Sequence, residues 1–140
     1  MCGQTVTATQ QLAMEVKPVT RLIVSGTPLP LLINAGGGTL SASDRNSQYS
    51  LVTNLRSMRI VASIDRPMPD STSLAIMLES STGTSRGEVD ITHSTSPTEV
   101  VAEIHPGSDR DQRITYRFSA LPGVSEPAFG ERTVTLTLTD

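Results

Sequence analysis

Apolar and polar residues alternate with a period of two along much of this chain, and the pattern is cleanest close to residue 140. In Arg132-Thr133-Val134-Thr135-Leu136-Thr137-Leu138-Thr139-Asp140, valine and leucine hold the even positions and threonine the odd ones. Successive side chains of a strand point to opposite faces, so this run predicts a β-strand with one apolar and one hydroxyl face that closes the domain. The first seventeen residues repeat the design. Val6, Ala8, Leu12, Met14 and Val16 sit at even positions, interrupted only by Gln10, with Thr5, Thr7, Thr9, Gln11, Glu15 and Lys17 at odd ones. A strand is expected from about Gln4 to Lys17, ending at Pro18, whose missing N–H cannot continue a central ladder. Extended, it would span roughly 40 Å or more, enough to serve two sheets of one domain or two subunits.

Between these two runs the same periodicity marks a series of shorter strands. Val19 to Ser25 and Leu29 to Asn34 are expected as strand, with Pro28 and Pro30 placing the second at an edge or at a switch between sheets. Ala35 to Gly38 reads as a flexible turn, and Ser41 to Gln48 as a polar loop before a strand at Tyr49 to Thr53. Met58 to Ile64, Leu74 to Leu78, Val89 to Ile91, Val100 to Ile104 and Ile114 to Phe118 follow as strands, separated by turns rich in proline, glycine and serine. Ala120 to Gly130, with two prolines and two glycines, is the longest irregular stretch. About nine or ten strands and no sustained helical period predict an all-β fold, an immunoglobulin-like antiparallel β-sandwich forming one domain over residues 1–140.

Composition agrees with a sheet protein whose outer faces are hydroxyl-rich. Ser and Thr supply 35 of the 140 residues, aromatic residues only 3%, and there is no Trp. That scarcity of aromatics argues against an enzyme pocket and against a surface that stacks on nucleic-acid bases. A net charge of −3 gives no electrostatic reason to expect nucleic acid or an anionic membrane. No apolar run reaches the roughly 20 residues that a membrane-spanning helix needs. The basic residues are ten Arg and one Lys, and Arg45, Arg56 and Arg59 fall close enough in sequence to suggest a local patch, more simply read as solvated surface. Cys2 is the single cysteine, so no intramolecular disulfide can form. An inert thiol, a lipid-modified cysteine and an intermolecular disulfide are the three readings of it.

Three clusters carry a trace of catalytic or ligand chemistry. Gly83-Thr84-Ser85-Arg86-Gly87 fits the G-x-S-x-G pattern of a nucleophile elbow, but an elbow needs a helix after the serine, and Glu88 to Ile91 reads as strand. A hairpin loop is expected instead, with His93 and His105 at strand ends rather than in a triad. Asp109-Arg110-Asp111 has alternating carboxylates such as calcium favours, yet no further acidic residue follows closely, so a solvated turn is expected. One cysteine and two separated histidines are too few for zinc. No catalytic residue, cofactor or metal site is predicted.

An N-terminal strand leading into Val16-Lys17-Pro18-Val19-Thr20, a proline-flanked second strand and the closing Thr133-Val134-Thr135-Leu136-Thr137-Leu138 together resemble small secreted bacterial surface proteins. The chain is most similar in this respect to subunits of extracellular fibres, including spore-coat-U-like proteins and archaic chaperone–usher pilins, although it lacks the cysteine pair many of them carry. The resemblance implies a secreted or cell-surface structural subunit that polymerises with copies of itself by β-strand exchange. Residues 4–17 would then be the donor strand, with Val6, Ala8, Leu12, Met14 and Val16 at the subunit interface. The competing expectation is a monomeric secreted or cell-surface module that binds carbohydrate or protein through Ser41 to Gln48 and Ala120 to Gly130.

Overall fold

The computed structural model describes residues 5–32, 41–121 and 131–140. Nine strands, all paired antiparallel, form two sheets, and there is no helix among the described residues. In chain order the strands are β1 (Thr20–Ser25), β2 (Ser41–Thr53), β3 (Met58–Ile64), β4 (Thr72–Leu78), β5 (Thr84–Ser85), β6 (Val89–Asp90), β7 (Thr98–Ile104), β8 (Gly107–Ala120) and β9 (Val134–Thr139). One sheet has the order β1-β2-β8-β4-β6 and the other β5-β7-β3-β9. The molecule is a β-sandwich.

Alternation explains the core. Leu74, Ile76 and Leu78 of β4 and Ile114 and Tyr116 of β8 turn inward from one sheet, and Ile60, Ala62, Ile64, Val100 and Ile104 turn inward from the other. Burying each such aliphatic side chain is worth about 1.5–3 kcal/mol, which makes this interlayer the main source of stability. Tyr49 is fully buried among them and donates its hydroxyl proton to the Glu79 carbonyl. Burial pushes its phenol up to about 12, so it stays neutral and keeps that donor.

Several expectations change. Residues 5–19 form no strand, so the expected Gln4–Lys17 strand is absent over its described residues. Residues 27–32 are likewise not strand, and 33–40, with the rest of the Leu29–Asn34 run and the glycine turn, lie outside the described residues. Ser41 to Gln48 is not a loop; it is the first half of β2. Asp109 to Asp111 is not a solvated turn either, because it lies within β8 with Asp109 only 1% exposed. In both strands a carboxylate points inward, Asp44 in β2 and Asp109 in β8, and the register slips close by. An inward polar residue and an extra bulge residue both erase the period-two pattern, which is why these segments read as polar loops. Ala120 closes β8, and 122–130 lie outside the described residues.

Candidate assembly edge

A sandwich of two open sheets has two flanks, and here they differ. At one flank the edge strands are β5 and β6, two residues each. They are joined by Arg86-Gly87-Glu88, so the chain itself crosses from one sheet to the other and closes that side. Ser85 of the G-x-S-x-G run is occupied there: its Oγ donates to the Leu78 carbonyl in the opposite sheet and accepts the Gly87 N–H at 3.1 Å. No helix follows it, so the hydroxyl is a structural tie between sheets. His93 lies in a turn and His105 just after β7, both exposed.

Asp109 anchors the same flank. Its carboxylate accepts the Ser81 and Thr82 hydroxyls and backbone N–H groups and the Ser80 hydroxyl, fastening β8 to the turn that leads into β5. Burial pushes this carboxyl up, but the donors of Ser81, Thr82 and Ser80 outweigh it and hold the group below the ordinary carboxylate range. Asp111 departs from it: at φ 52° it is exposed, and its N–H goes to Ser50 Oγ at 3.1 Å. The two carboxylates therefore do not converge on a cation, and among the described residues no group of three or more His, Cys, Asp or Glu is placed to hold a metal ion. Arg45 and Arg59 belong to different sheets, so the suggested basic patch does not form.

At the other flank the edges are β1 and β9, six residues each and, among the described residues, each laddered to one neighbouring strand only. Thr20 pairs with Thr53, the chain crosses through residues 54–57 to Met58, and Arg59 pairs with Thr139. The start of β1 and the end of β9 therefore share one end of the sandwich, and the two edges run in opposite directions. Val134, Leu136 and Leu138 of β9 face inward but remain half-buried, as do Leu22 of β1 and Leu31 just beyond it. Their odd-numbered neighbours Thr135 and Thr137 are exposed. The mouth of β9 is clasped to β3: Asp65 N–H reaches the Thr133 carbonyl at 3.1 Å, Thr133 N–H reaches Asp65 Oδ1 at 2.8 Å, and Arg132 donates twice to the Pro67 carbonyl. The Thr133 N–H holds the Asp65 carboxyl below its usual range.

The five interface residues read from the sequence are placed outside the sandwich altogether. Val6 is 89% exposed, Leu12 77%, Met14 83% and Val16 87%, and Ala8 is exposed as well. The chain that follows them is held by Asn54. Its N–H donates to the Val19 carbonyl at 3.1 Å, its Oδ1 accepts the Val19 N–H at 2.8 Å, and its Nδ2 donates to the Lys17 carbonyl at 3.0 Å. These bonds prolong the line of β1 back to Lys17. Asn54 was legible only as part of a tight connection, because its role depends on a partner 35 residues away.

Comparison with family models, with curated proteins and with solved structures finds no match for this chain. Among the described residues no helix is long and apolar enough to cross a membrane.

Proposed function

We propose that the protein is a structural subunit of an extracellular, pilus-like filament, in which residues 5–16 of one copy fill the open flank of the next by β-strand exchange. The observation that carries this reading is the pairing of two incomplete features in one chain. An alternating segment holds its apolar side chains in solvent, and a six-residue edge strand leaves its inward side chains half-covered. Each cures the other's deficit, at about 1.5–3 kcal/mol for each large apolar side chain that becomes buried. The segment's apolar side chains are exposed in its own subunit, which favours a neighbour over self-closure. A donor that leaves one end of a subunit and enters the flank of another makes a heterologous contact, and such contacts propagate when they do not close into a ring. The outward threonine rows would keep the filament hydrated, as suits a secreted or cell-surface structure. Of the two loops in the binding alternative, Ser41 to Gln48 is strand, and 122–130 lie outside the described residues.

The test uses Leu12→Asp with Met14→Asp, two sites whose exposure leaves nothing in the subunit to disrupt. Light scattering of the variant should show assembly abolished while thermal unfolding of the monomer is unchanged. Undiminished assembly would refute the proposal.

A further inference from the structure

Strand alternation sorts charge in this sandwich and gathers arginines on one broad face. Arg45 follows Asp44 in β2, and Arg110 lies between Asp109 and Asp111 in β8, so each reads in sequence as neutralised by its neighbour. In the strands the neighbours part. Asp44 and Asp109 turn into the sandwich, where the Leu29 and Asn46 N–H groups occupy one carboxylate and the donors of Ser80 to Thr82 the other. Arg45 and Arg110 turn outward and are exposed. The same alternation puts Arg21 of β1 and Arg113 and Arg117 of β8 on this outer face, all exposed. Asp111 is the one exposed carboxylate of β1, β2 and β8.

The register brings the arginines together. Gln48 pairs with Arg113 and Ser43 with Arg117, and Arg45 falls at the register slip beside Thr115, between those two arginines. Arg117 is held by Glu88, whereas among the described residues Arg21, Arg45, Arg110 and Arg113 have no carboxylate within ion-pair distance. Glu79, across from Arg113, and Asp90 of β6 lie on the side of the sheet away from β1. In the other sheet β7 supplies Glu99 and Glu103 and β3 supplies Arg59, and Glu99 holds Arg86 at 2.8 Å.

We propose that the outer face of β1, β2 and β8 binds an acidic polysaccharide, a chain of uronic-acid units whose carboxylates pair with these guanidiniums. The site is the breadth of the sheet rather than its edges, so it stands apart from strand exchange. Arg110 and Arg117 are seven residues apart on β8, about 20 Å, and β1 lies about 10 Å from β8 across the sheet. Charges spread that far suit a ligand that carries anions at intervals along its length. A planar guanidinium matches a carboxylate with two parallel hydrogen bonds, which a lysine ammonium does not. Ser43, Gln48 and Thr115 stand between the arginines as partners for sugar hydroxyls. Tyr49, Tyr116 and Phe118, the aromatic residues of these strands, turn inward, so the face has no ring on which a nucleic-acid base would stack.

The test is calorimetric titration of the full chain with polygalacturonate at low ionic strength, with uncharged dextran alongside. Arg45→Gln with Arg113→Gln removes two exposed guanidiniums from the face. Arg56→Gln with Arg59→Gln makes the same change in net charge at exposed positions off the face, in the connection after β2 and in the other sheet. Polygalacturonate should bind and dextran should not. Affinity should fall about tenfold in the first double variant and stay within about twofold of the parent in the second, with thermal unfolding of both unchanged. Equal loss in the two variants would mean a response to net charge, and no loss in the first would mean binding elsewhere; each overturns the inference, as does a chain to which polygalacturonate does not bind. Tighter binding of an oligo-dT strand or of phosphatidylglycerol vesicles than of polygalacturonate overturns the choice of partner.

Discussion

The two flanks of this sandwich are built from the same kind of sheet and finished in opposite ways. At the β5–β6 flank the chain crosses between the sheets, the edge strands are two residues long, and a buried carboxylate gathers three consecutive hydroxyl residues. At the β1–β9 flank the facing edges approach each other with no chain crossing between them among the described residues, the edge strands are regular, and leucines remain half-covered. Short, irregular edges protect a sheet from pairing with another chain, and a regular exposed edge invites it. The molecule thus has one flank crossed by its own chain and one finished by two regular edge strands, and this difference is the physical basis for proposing the second as a place of assembly.

Substitutions at the closed flank should act on stability and spare assembly until the fold fails. The largest effect is expected for Asp109→Ala, which strips the Ser80 to Thr82 donors of their acceptor; a loss of about 3 kcal/mol or more in denaturant unfolding would be measured. The same carboxylate gives a pH dependence. Its folded-state pKa lies below the ordinary unfolded value, so the stability it contributes is complete above about pH 4 and is lost as pH falls through the depressed folded value. A urea midpoint that falls on acidification below pH 4 in the parent, and falls less in Asp109→Asn, checks the sign.

Gly83→Ala should follow in size. A Cβ there would stand 2.7 Å from Ile104 Cγ1 and 2.8 Å from the Ala102 carbonyl oxygen, so the β5 edge must shift, at about 1–3 kcal/mol in thermal unfolding. The open flank should answer differently. Asn54→Ala removes side-chain bonds that lie on the surface, and the stability change should be about 1 kcal/mol or less. Its effect should appear instead in assembly, as shorter or closed species by electron microscopy, because the proposed donor segment is no longer held at Lys17 and Val19.

The same contrast decides how much the sequence revealed. β3, β4, β7 and β9 were legible because their inward positions are apolar throughout or nearly so, and each strand's pattern reports its own burial. The first half of β2 and the start of β8 were hidden because Asp44 and Asp109 are buried through hydrogen bonds to distant donors, which no local window contains. Residues 5–16 show the converse error. Their alternation resembles that of β9, broken only at Gln10 and Ala13, yet period two specifies only a strand with two unlike faces, not where its partner is. β9 finds β3 within its own sheet, whereas the N-terminal segment finds no partner among the described residues. The five positions proposed for an interface rest on the sequence pattern, whereas the closed flank and the Asn54 brace could not be read from it, since each joins residues far apart in the chain.

The most direct measurement is negative-stain microscopy with light scattering on the full chain and on the chain lacking residues 5–16, together with thermal unfolding of both monomers. Filaments that disappear on truncation, with the unfolding temperature unchanged, are the expected result, because the segment makes no sheet in its own subunit. Filaments that persist without it, or a truncated monomer that unfolds at much lower temperature, would show that the segment belongs to its own domain and that the open flank is not a seat for a neighbour.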